Sequence, residues 1–222
     1  MTDTSGRGGT VALARAGESD RQDVKVIEVA ALAGGMFSAQ LVPQIAALLQ
    51  KHQFSKSDID GFVVVSGPGS FTGLRVGLAA IKALAEILRK PIAAVSLLEL
   101  VAKASRLQGK VVAVLDGGRG EVFFGAYSIA GESMQVLREE LLSKAEFLSQ
   151  ARDSTVATPD LTLAEMARDT ALTVAAVEQP SAATIARLGW EQIQAGKTVS
   201  PERLEANYMR RSDADMYVKV SS

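Results

Sequence analysis

Phe62-Val63-Val64-Val65-Ser66-Gly67-Pro68-Gly69-Ser70-Phe71-Thr72-Gly73-Leu74-Arg75-Val76-Gly77 decides how the chain folds. Four apolar residues at 62–65, three of them β-branched, read as a short buried strand. The run Gly67–Gly73 turns the backbone, and Leu74 to about Arg89 continues as a helix that Pro91 stops. Ile92–Val95 is a second short apolar strand. Residues 62–95 therefore form a β-loop-α-β unit, whose strands lie parallel because a helix carries the chain back across the sheet.

Working outward, Thr10–Ala14 is the first strand-like run toward the N-terminus and Val24–Ala31 the second, with the polar turn Gly17–Asp23 between them: a hairpin. Ser38 is placed to cap a helix whose Leu41, Val42, Ile45, Leu48 and Leu49 recur at helical spacing, with Pro43 in its first turns. Toward the C-terminus, Ser96-Leu97-Leu98-Glu99 has the form of a capping box for a helix ending near Gly109. Ser143–Glu146 and Thr162–Glu165 repeat that signal. Val111–Leu115 and Val122–Tyr127 read as strands joined by the turn Asp116–Glu121, and Thr173–Val177 as a further strand. Ser181 opens a last helix to Ala195, closed by Gly196. The pattern is α/β. A soft boundary falls near 100–110, giving segments 1–105 and 106–180, then 181–222.

Composition removes several kinds of chemistry. The chain has 222 residues, 24 Lys+Arg against 25 Asp+Glu, one His and no Cys. Without Cys there is no disulfide, thiolate nucleophile or Cys-ligated metal, and His52 alone cannot serve sites that need two imidazoles. Balanced charge speaks against a broad basic face for nucleic acid. The opening residues carry no signal-peptide pattern, and no apolar run is long enough to span a bilayer, so a cytoplasmic protein without membrane contact is expected.

The loop 67–73 sits where a strand meets a helix N-terminus, the place where backbone amides receive phosphate. Its spacing is G-x-G-x-x-x-G and lacks the Lys of a Walker A loop, so neither nucleotide motif is met. Two readings stand: a glycine-dependent turn that lets the helix pack closely, or a phosphate contact through Gly67 and Gly69. Asp3-Thr4-Ser5 followed by Gly6 likewise reads as an ordinary Asx-type turn or as a second phosphate-side turn. On the helix, Arg75, Lys82, Glu86 and Arg89 form one narrow polar stripe, leaving two apolar faces where one serves the helix's own sheet. The second face is either covered by the same chain or available to another helix. His52 beside Lys51 and Gln53 reads as solvated. Asp116 and Glu121 flank a turn and are candidates for a carboxylate pair, and Arg210 and Arg211 near Asp213 and Asp215 are too few for a nucleic-acid patch.

The run Ser66–Gly77, continued by Lys82-Ala83-Leu84-Ala85 and Pro91–Leu98, resembles the TsaB (YeaZ) family of bacterial tRNA threonylcarbamoyladenosine biosynthesis. Asp3-Thr4-Ser5, Val11-Ala12-Leu13, Gly120-Glu121-Val122-Phe123 and Tyr208–Asp215 resemble further family segments. The resemblance spans most of the chain and is loose over 130–180. It implies an actin-like/Hsp70-like (ASKHA) fold of two α/β subdomains, with the C-terminal helix returning to the first. It also implies a non-catalytic scaffold or activator subunit without cofactor or metal of its own, ATP or ADP being confined to a partner interface. The partners implied are a TsaD-type metal-dependent transferase, a TsaE-type ATPase and a second copy of the chain. The tRNA, modified at adenosine 37 when it decodes ANN codons, is reached through the complex.

The family resemblance places the interface on the first two helices, about Ala39–Gln53 and Leu74–Leu88, which nominates Leu41, Ile45, Leu48, Val76, Ala80, Ala83 and Ile87. Where the family carries an apolar strand before Asp-Thr-Ser, only Met1 and Thr2 precede Asp3, which reads either as a shortened first strand or as a start recorded inside it. Phe37-Ser38 replaces the family's His-Ser, and Asp116-Gly117-Gly118-Arg119 its Asp-Ala-Arg. The alternative function is a stand-alone ASKHA-type phosphotransferase using Asp3, Thr4 and the 67–73 loop. A metallopeptidase fails on ligand count, since one His cannot supply that site.

Overall fold

A computed structural model describes residues 1–17, 23–131 and 133–209. The described residues divide into two compact units, 1–96 with 181–207, and 97–180 with Tyr208 and Met209. The division falls at Ser96/Leu97, so the helix after the second parallel strand belongs with the second unit rather than with a segment reaching residue 105.

In the first unit, β1 (Thr2–Asp3), β2 (Gly9–Ala16), β3 (Val24–Leu32), β4 (Phe62–Gly67) and β5 (Ile92–Ser96) form one sheet in the order β3-β2-β1-β4-β5. β1 is only two residues long yet central, antiparallel to β2 (Thr2 opposite Val11) and parallel to β4 (Thr2 opposite Val64). β4 and β5 are parallel, Phe62 lying opposite Ile92, as the β-loop-α-β reading requires. Helices α1 (Phe37–Lys51) and α2 (Phe71–Leu88) cover one face. There Phe62 and Val64 meet Leu78, Ile81 and Ala85, while Val11 and Leu32 meet Phe37, Leu41 and Leu48. Val63 points the other way, and a Cβ on Gly189 of α6 (Ala182–Gln194) would lie 2.2 Å from it. That close approach is how the C-terminal helix seats on the opposite face.

Two helix starts differ from expectation. α1 begins at Phe37, with Met36 at the cap position making no side-chain bond, so Ser38 lies inside the helix. The buried Phe37 ring, which closes the core of this unit, sets the start. α2 begins at Phe71, three residues earlier than the apolar pattern indicates, because the Ser70 side chain accepts a bond from the Gly73 N–H.

In the second unit, β6 (Gly109–Gly118), β7 (Glu121–Ala130), β8 (Ser133–Ser143), β9 (Thr155–Thr158) and β10 (Val174–Ala176) form a sheet in the order β10-β9-β6-β7-β8. α3 (Leu97–Ala104), α4 (Lys144–Gln150) and α5 (Leu161–Asp169) complete it. α3 stops at Ala104 rather than near Gly109, where β6 already begins. The Ser143–Glu146 capping box forms as read, both of its reciprocal bonds being present. α5 is capped by Asp160, whose carboxylate accepts from the Leu163 N–H at 3.0 Å, so Thr162 sits in the first turn instead of at the cap. β8 and β9 are additions to the sequence reading. The core gathers Val112, Val114, Phe124, Phe147, Val156 and Leu163, with a second cluster around Leu98, Val101 and Tyr127.

Candidate functional site

The Asp3–Ser5 turn and the 67–73 loop meet at the N-terminal end of α2. Asp3 Oδ1 accepts from the Ser5 N–H at 2.9 Å and from the Ser5 hydroxyl at 2.6 Å, an Asx-type closure. The turn lies directly on the loop: the Ser70 N–H donates to the Ser5 carbonyl at 2.7 Å. A Cβ added to Gly69 would fall 2.4 Å from the Ser5 carbonyl oxygen, one on Gly73 2.1 Å from that of Thr4, and one on Gly77 2.3 Å from Thr4 Oγ1. These three glycines are small because the turn occupies the space a side chain would need. Gly67 stands apart from that contact. Its φ of +133° puts it in a region only glycine adopts readily, and it packs under Asn207, whose N–H donates to the Ser66 carbonyl at 2.8 Å.

All five residues nominated for phosphate contact thus lie at one end of the first unit, with Asp3, Thr4, Ser5 and Gly69 in direct mutual contact. Close packing accounts for Gly69, Gly73 and Gly77. Thr4 and Ser5 are buried, and Thr4 Oγ1 has no hydrogen-bond partner.

The α1–α2 surface sorts the nominated interface residues into three groups. Leu41 and Leu48 are core: at 1% and 5% exposure they pack on Val11 and Leu32, so the reading that offered them to a partner is corrected. Ile45, Val76 and Ala80 are half-buried where α1 and α2 meet. Ala83 is exposed, and Ile87 is 76% exposed. Four further apolar residues share the outward side: Met36, Val42 (45% exposed), Ala46 and Ala79. Ala39, Val42, Pro43 and Ala46 follow i, i+3, i+4, i+7, a second helical stripe legible in the sequence beside the inward one. Within the first turns of α2 the Arg75 guanidinium lies 3.8 Å above the Phe71 ring.

The remaining candidates resolve as structure. His52 is not simply solvated: its Nε2 lies 2.7 Å from Glu28 Oε2, while Lys51 Nζ bonds Glu28 Oε1 at 2.7 Å, fastening the end of α1 to β3. Those bonds, first from Lys51 and then from His52, hold the Glu28 carboxyl below its usual range. Asp116 lies opposite Val122, and Glu121 opposite Gly118, so the β6–β7 register does not set the two carboxylates across from each other. Arg210, Arg211, Asp213 and Asp215 lie outside the described residues. Among the described residues, no group of three or more His, Asp or Glu could hold a metal ion, and no helix is long and apolar enough to cross a membrane.

A family model described as TsaD, tRNA N6-adenosine threonylcarbamoyltransferase, matches residues 29–168, which takes in α1, the 67–73 loop and α2. The chain belongs to this family. Within it, the likeness is to the TsaB (YeaZ) proteins. The tRNA threonylcarbamoyladenosine biosynthesis protein TsaB of Bacillus subtilis is 32% identical over 135 residues, covering 60% of this chain and 59% of that one. The protein of the same name from Escherichia coli is 27% identical over 187 residues, covering 79% of this chain and 81% of the other. A Pseudomonas aeruginosa crystal structure, described as an uncharacterized protein with similarity to peptidase YEAZ, superposes with a TM-score of 0.69 at 25% identity, covering 94% of this chain and 97% of that one. With its two five-stranded sheets, the chain has the actin-like fold of two α/β subdomains that the TsaB resemblance implies.

Proposed function

We propose that this TsaB-like protein takes part in tRNA threonylcarbamoyladenosine biosynthesis, as a scaffold subunit that docks on a TsaD-type transferase through the outward side of α1 and α2. The observation that carries this reading is an apolar surface made by two adjacent helices of one unit. Met36, Val42, Ala79, Ala83 and Ile87 are exposed there, and the small alanines let a partner helix approach closely. The two relatives named TsaB support the process, and the matching family model supports the kind of partner. In this reading the subunit contributes no catalytic group. His52, the one histidine, is engaged by Glu28, and there is no Cys. The work is cytoplasmic, a second copy takes the same surface when the transferase is absent, and a TsaE-type ATPase and the tRNA join through the complex.

The test is Ala83→Glu with Ile87→Glu, two changes on exposed positions that leave the core intact. Association with the TsaD-type transferase of the same organism, measured by calorimetry, should weaken at least about 100-fold, equivalent to about 2.7 kcal/mol. Unchanged affinity would remove this surface from the interface. The buried, unpartnered Thr4 Oγ1 keeps a phosphotransferase as the second reading. Tight Mg-ATP binding with turnover by the isolated protein would favour it.

A further inference from the structure

Between Met36 and Gln50 the chain carries no charged residue, and α1 fills that stretch. One side of this helix is nevertheless open: Ser38, Ala39, Val42, Pro43, Ala46 and Ala47 are exposed. A helix that faces water on one side ordinarily carries charged or polar residues there. α1 instead presents methyl and methylene groups, with a hydroxyl at its N-terminal end. α2 beside it does turn charge outward, at Arg75 and Glu86, so the feature belongs to α1 and not to the whole unit.

The strong polar group on that side is backbone. Pro43 stands inside α1, and the helix continues past it to Lys51. Proline has no N–H, so the bond that position 43 would donate to the Ala39 carbonyl does not form, and the ring crowds that oxygen as well. Ala39 and Pro43 lie one turn apart and both are exposed, which sets the freed carbonyl on the outward side. The nearest donors are engaged elsewhere. The Ala39 and Gln40 N–H groups go to the Met36 carbonyl at 3.1 and 3.0 Å. The Gln40 side chain is turned to Ala33, whose N–H its Oε1 accepts at 2.8 Å.

In the free chain water satisfies such a carbonyl. When a partner covers the outward side the water leaves, and a carbonyl buried without a donor loses the worth of a hydrogen bond. The stripe Ala39, Val42, Pro43 and Ala46 therefore sets a condition on whatever lies against it: an apolar surface with one donor placed at Ala39. A neutral donor meets the condition best, because the stripe offers no counter-charge to an ammonium or guanidinium taken out of water.

We infer that the Ala39 carbonyl, held open by Pro43, is a specificity contact of the docking surface, met by a neutral hydroxyl or amide donor on a helix of the TsaD-type transferase. This rests on the docking role proposed above and adds the chemistry that the partner must bring. A second copy does not bring it: Val42, Ala46, Ala79, Ala83 and Ile87, the apolar residues it would lay against the stripe, have no side-chain donor. The open carbonyl thus favours the transferase over a second copy on a surface that accepts both.

Pro43→Ala restores the missing N–H and closes the bond within α1. On the full chain, its melting temperature, its affinity for the transferase by calorimetry and its self-association by sedimentation equilibrium are measured together. The helix gains a bond and loses a breaker, so the melting temperature should rise by about 5 °C or more. Transferase affinity should nevertheless fall about tenfold or more, and self-association should not weaken. N-methylalanine at position 43, which has neither N–H nor ring, leaves the carbonyl open and should keep transferase affinity within about twofold of native. Native affinity in Pro43→Ala overturns the inference. So does equal weakening by alanine and N-methylalanine, which puts the contact on the ring, or equal weakening of docking and self-association, which removes the discrimination. A lowered melting temperature in Pro43→Ala overturns it too, because no helix bond was then missing. Ala83→Glu with Ile87→Glu keeps the two readings apart. Docking unchanged by that pair means the surface is wrong, whereas docking weakened by the pair and untouched by Pro43→Ala removes the carbonyl contact alone.

Discussion

Gly77 sets two effects of opposite sign against each other. Replacing a helix-interior glycine by alanine stabilises by about 1 kcal/mol through propensity. At Gly77 the new Cβ would lie 2.3 Å from Thr4 Oγ1, with Thr4 Cβ and Cγ2 next at 3.4 Å. Thr4 is 1% exposed, so its hydroxyl has no solvent to swing into. Overpacking of this kind costs about 1–3 kcal/mol. Gly77→Ala in the native background should therefore be neutral to destabilising by about 2 kcal/mol. In a Thr4→Ala background the nearest Thr4-derived atom is Cβ at ordinary van der Waals distance, and the propensity gain should appear, making the same substitution stabilising by about 1 kcal/mol. The coupling energy of the cycle is then about 1–3 kcal/mol. Urea denaturation followed by Trp190 emission measures it cleanly, because Trp190 is the only tryptophan and lies in α6 of the same unit as both residues. A coupling below about 0.5 kcal/mol would refute the claim that the Asp3–Ser5 turn is what keeps Gly77 a glycine.

Other perturbations separate core from surface and one unit from the other. Leu41→Ala should cost the first unit about 2–5 kcal/mol, whereas Ala83→Glu should stay within about 0.5 kcal/mol, read by the same Trp190 transition. Ser143→Ala should cost the second unit about 1 kcal/mol by removing the side-chain acceptor of the Glu146 N–H, while the Ser143 N–H keeps its bond to the Glu146 carboxylate, measured by hydrogen exchange in α4. The buried Met1 ammonium has a folded pKa of about 6 against 8.0, so the unfolded chain binds the extra proton between those values. Stability is present in full above pH 8 and falls as pH drops toward 6, by up to about 2–3 kcal/mol. Nα-acetylation of Met1 should remove that part of the pH dependence, seen as the difference between the two urea-denaturation profiles.

The β-loop-α-β unit was readable because its signals are local: a β-branched run, a glycine turn, Pro91 after a helix. β8 was not. Its sequence, Ser133 to Ser143, contains Gln135, Arg138, Glu139 and Glu140 and buries only Leu142, so neither propensity nor alternation marks a strand. It forms because β7 presents a ladder from Glu121 to Ala130 to pair with. β9, four residues with three buried, is too short to show a period. The α5 cap was displaced for a related reason. Thr162-x-x-Glu165 and Asp160-x-x-Leu163 both fit a helix start, and the aspartate two residues earlier takes the role because a bond from the Leu163 N–H to its carboxylate begins the helix sooner.

At the site, the residue types were readable and their partners were not. Gly69, Gly73 and Gly77 answer to Ser5 and Thr4, more than sixty residues away in sequence, so from the chain alone a phosphate and a turn of the same protein explain them equally well. The spare apolar face of α2 was similarly correct in kind and partial in membership. α1 packs beside α2 and takes Val76 and Ala80 into the seam with Ile45, while its own Leu41 and Leu48 turn to the sheet. What is left outward is Val42 and Ala46 on one helix and Ala79, Ala83 and Ile87 on the other, a surface neither helix would present alone. A partner reading that surface therefore reads the packing of α1 against α2. A substitution in the seam, such as Ala80→Leu, should weaken docking by moving the two stripes apart even though Ala80 offers little of its own area to a partner.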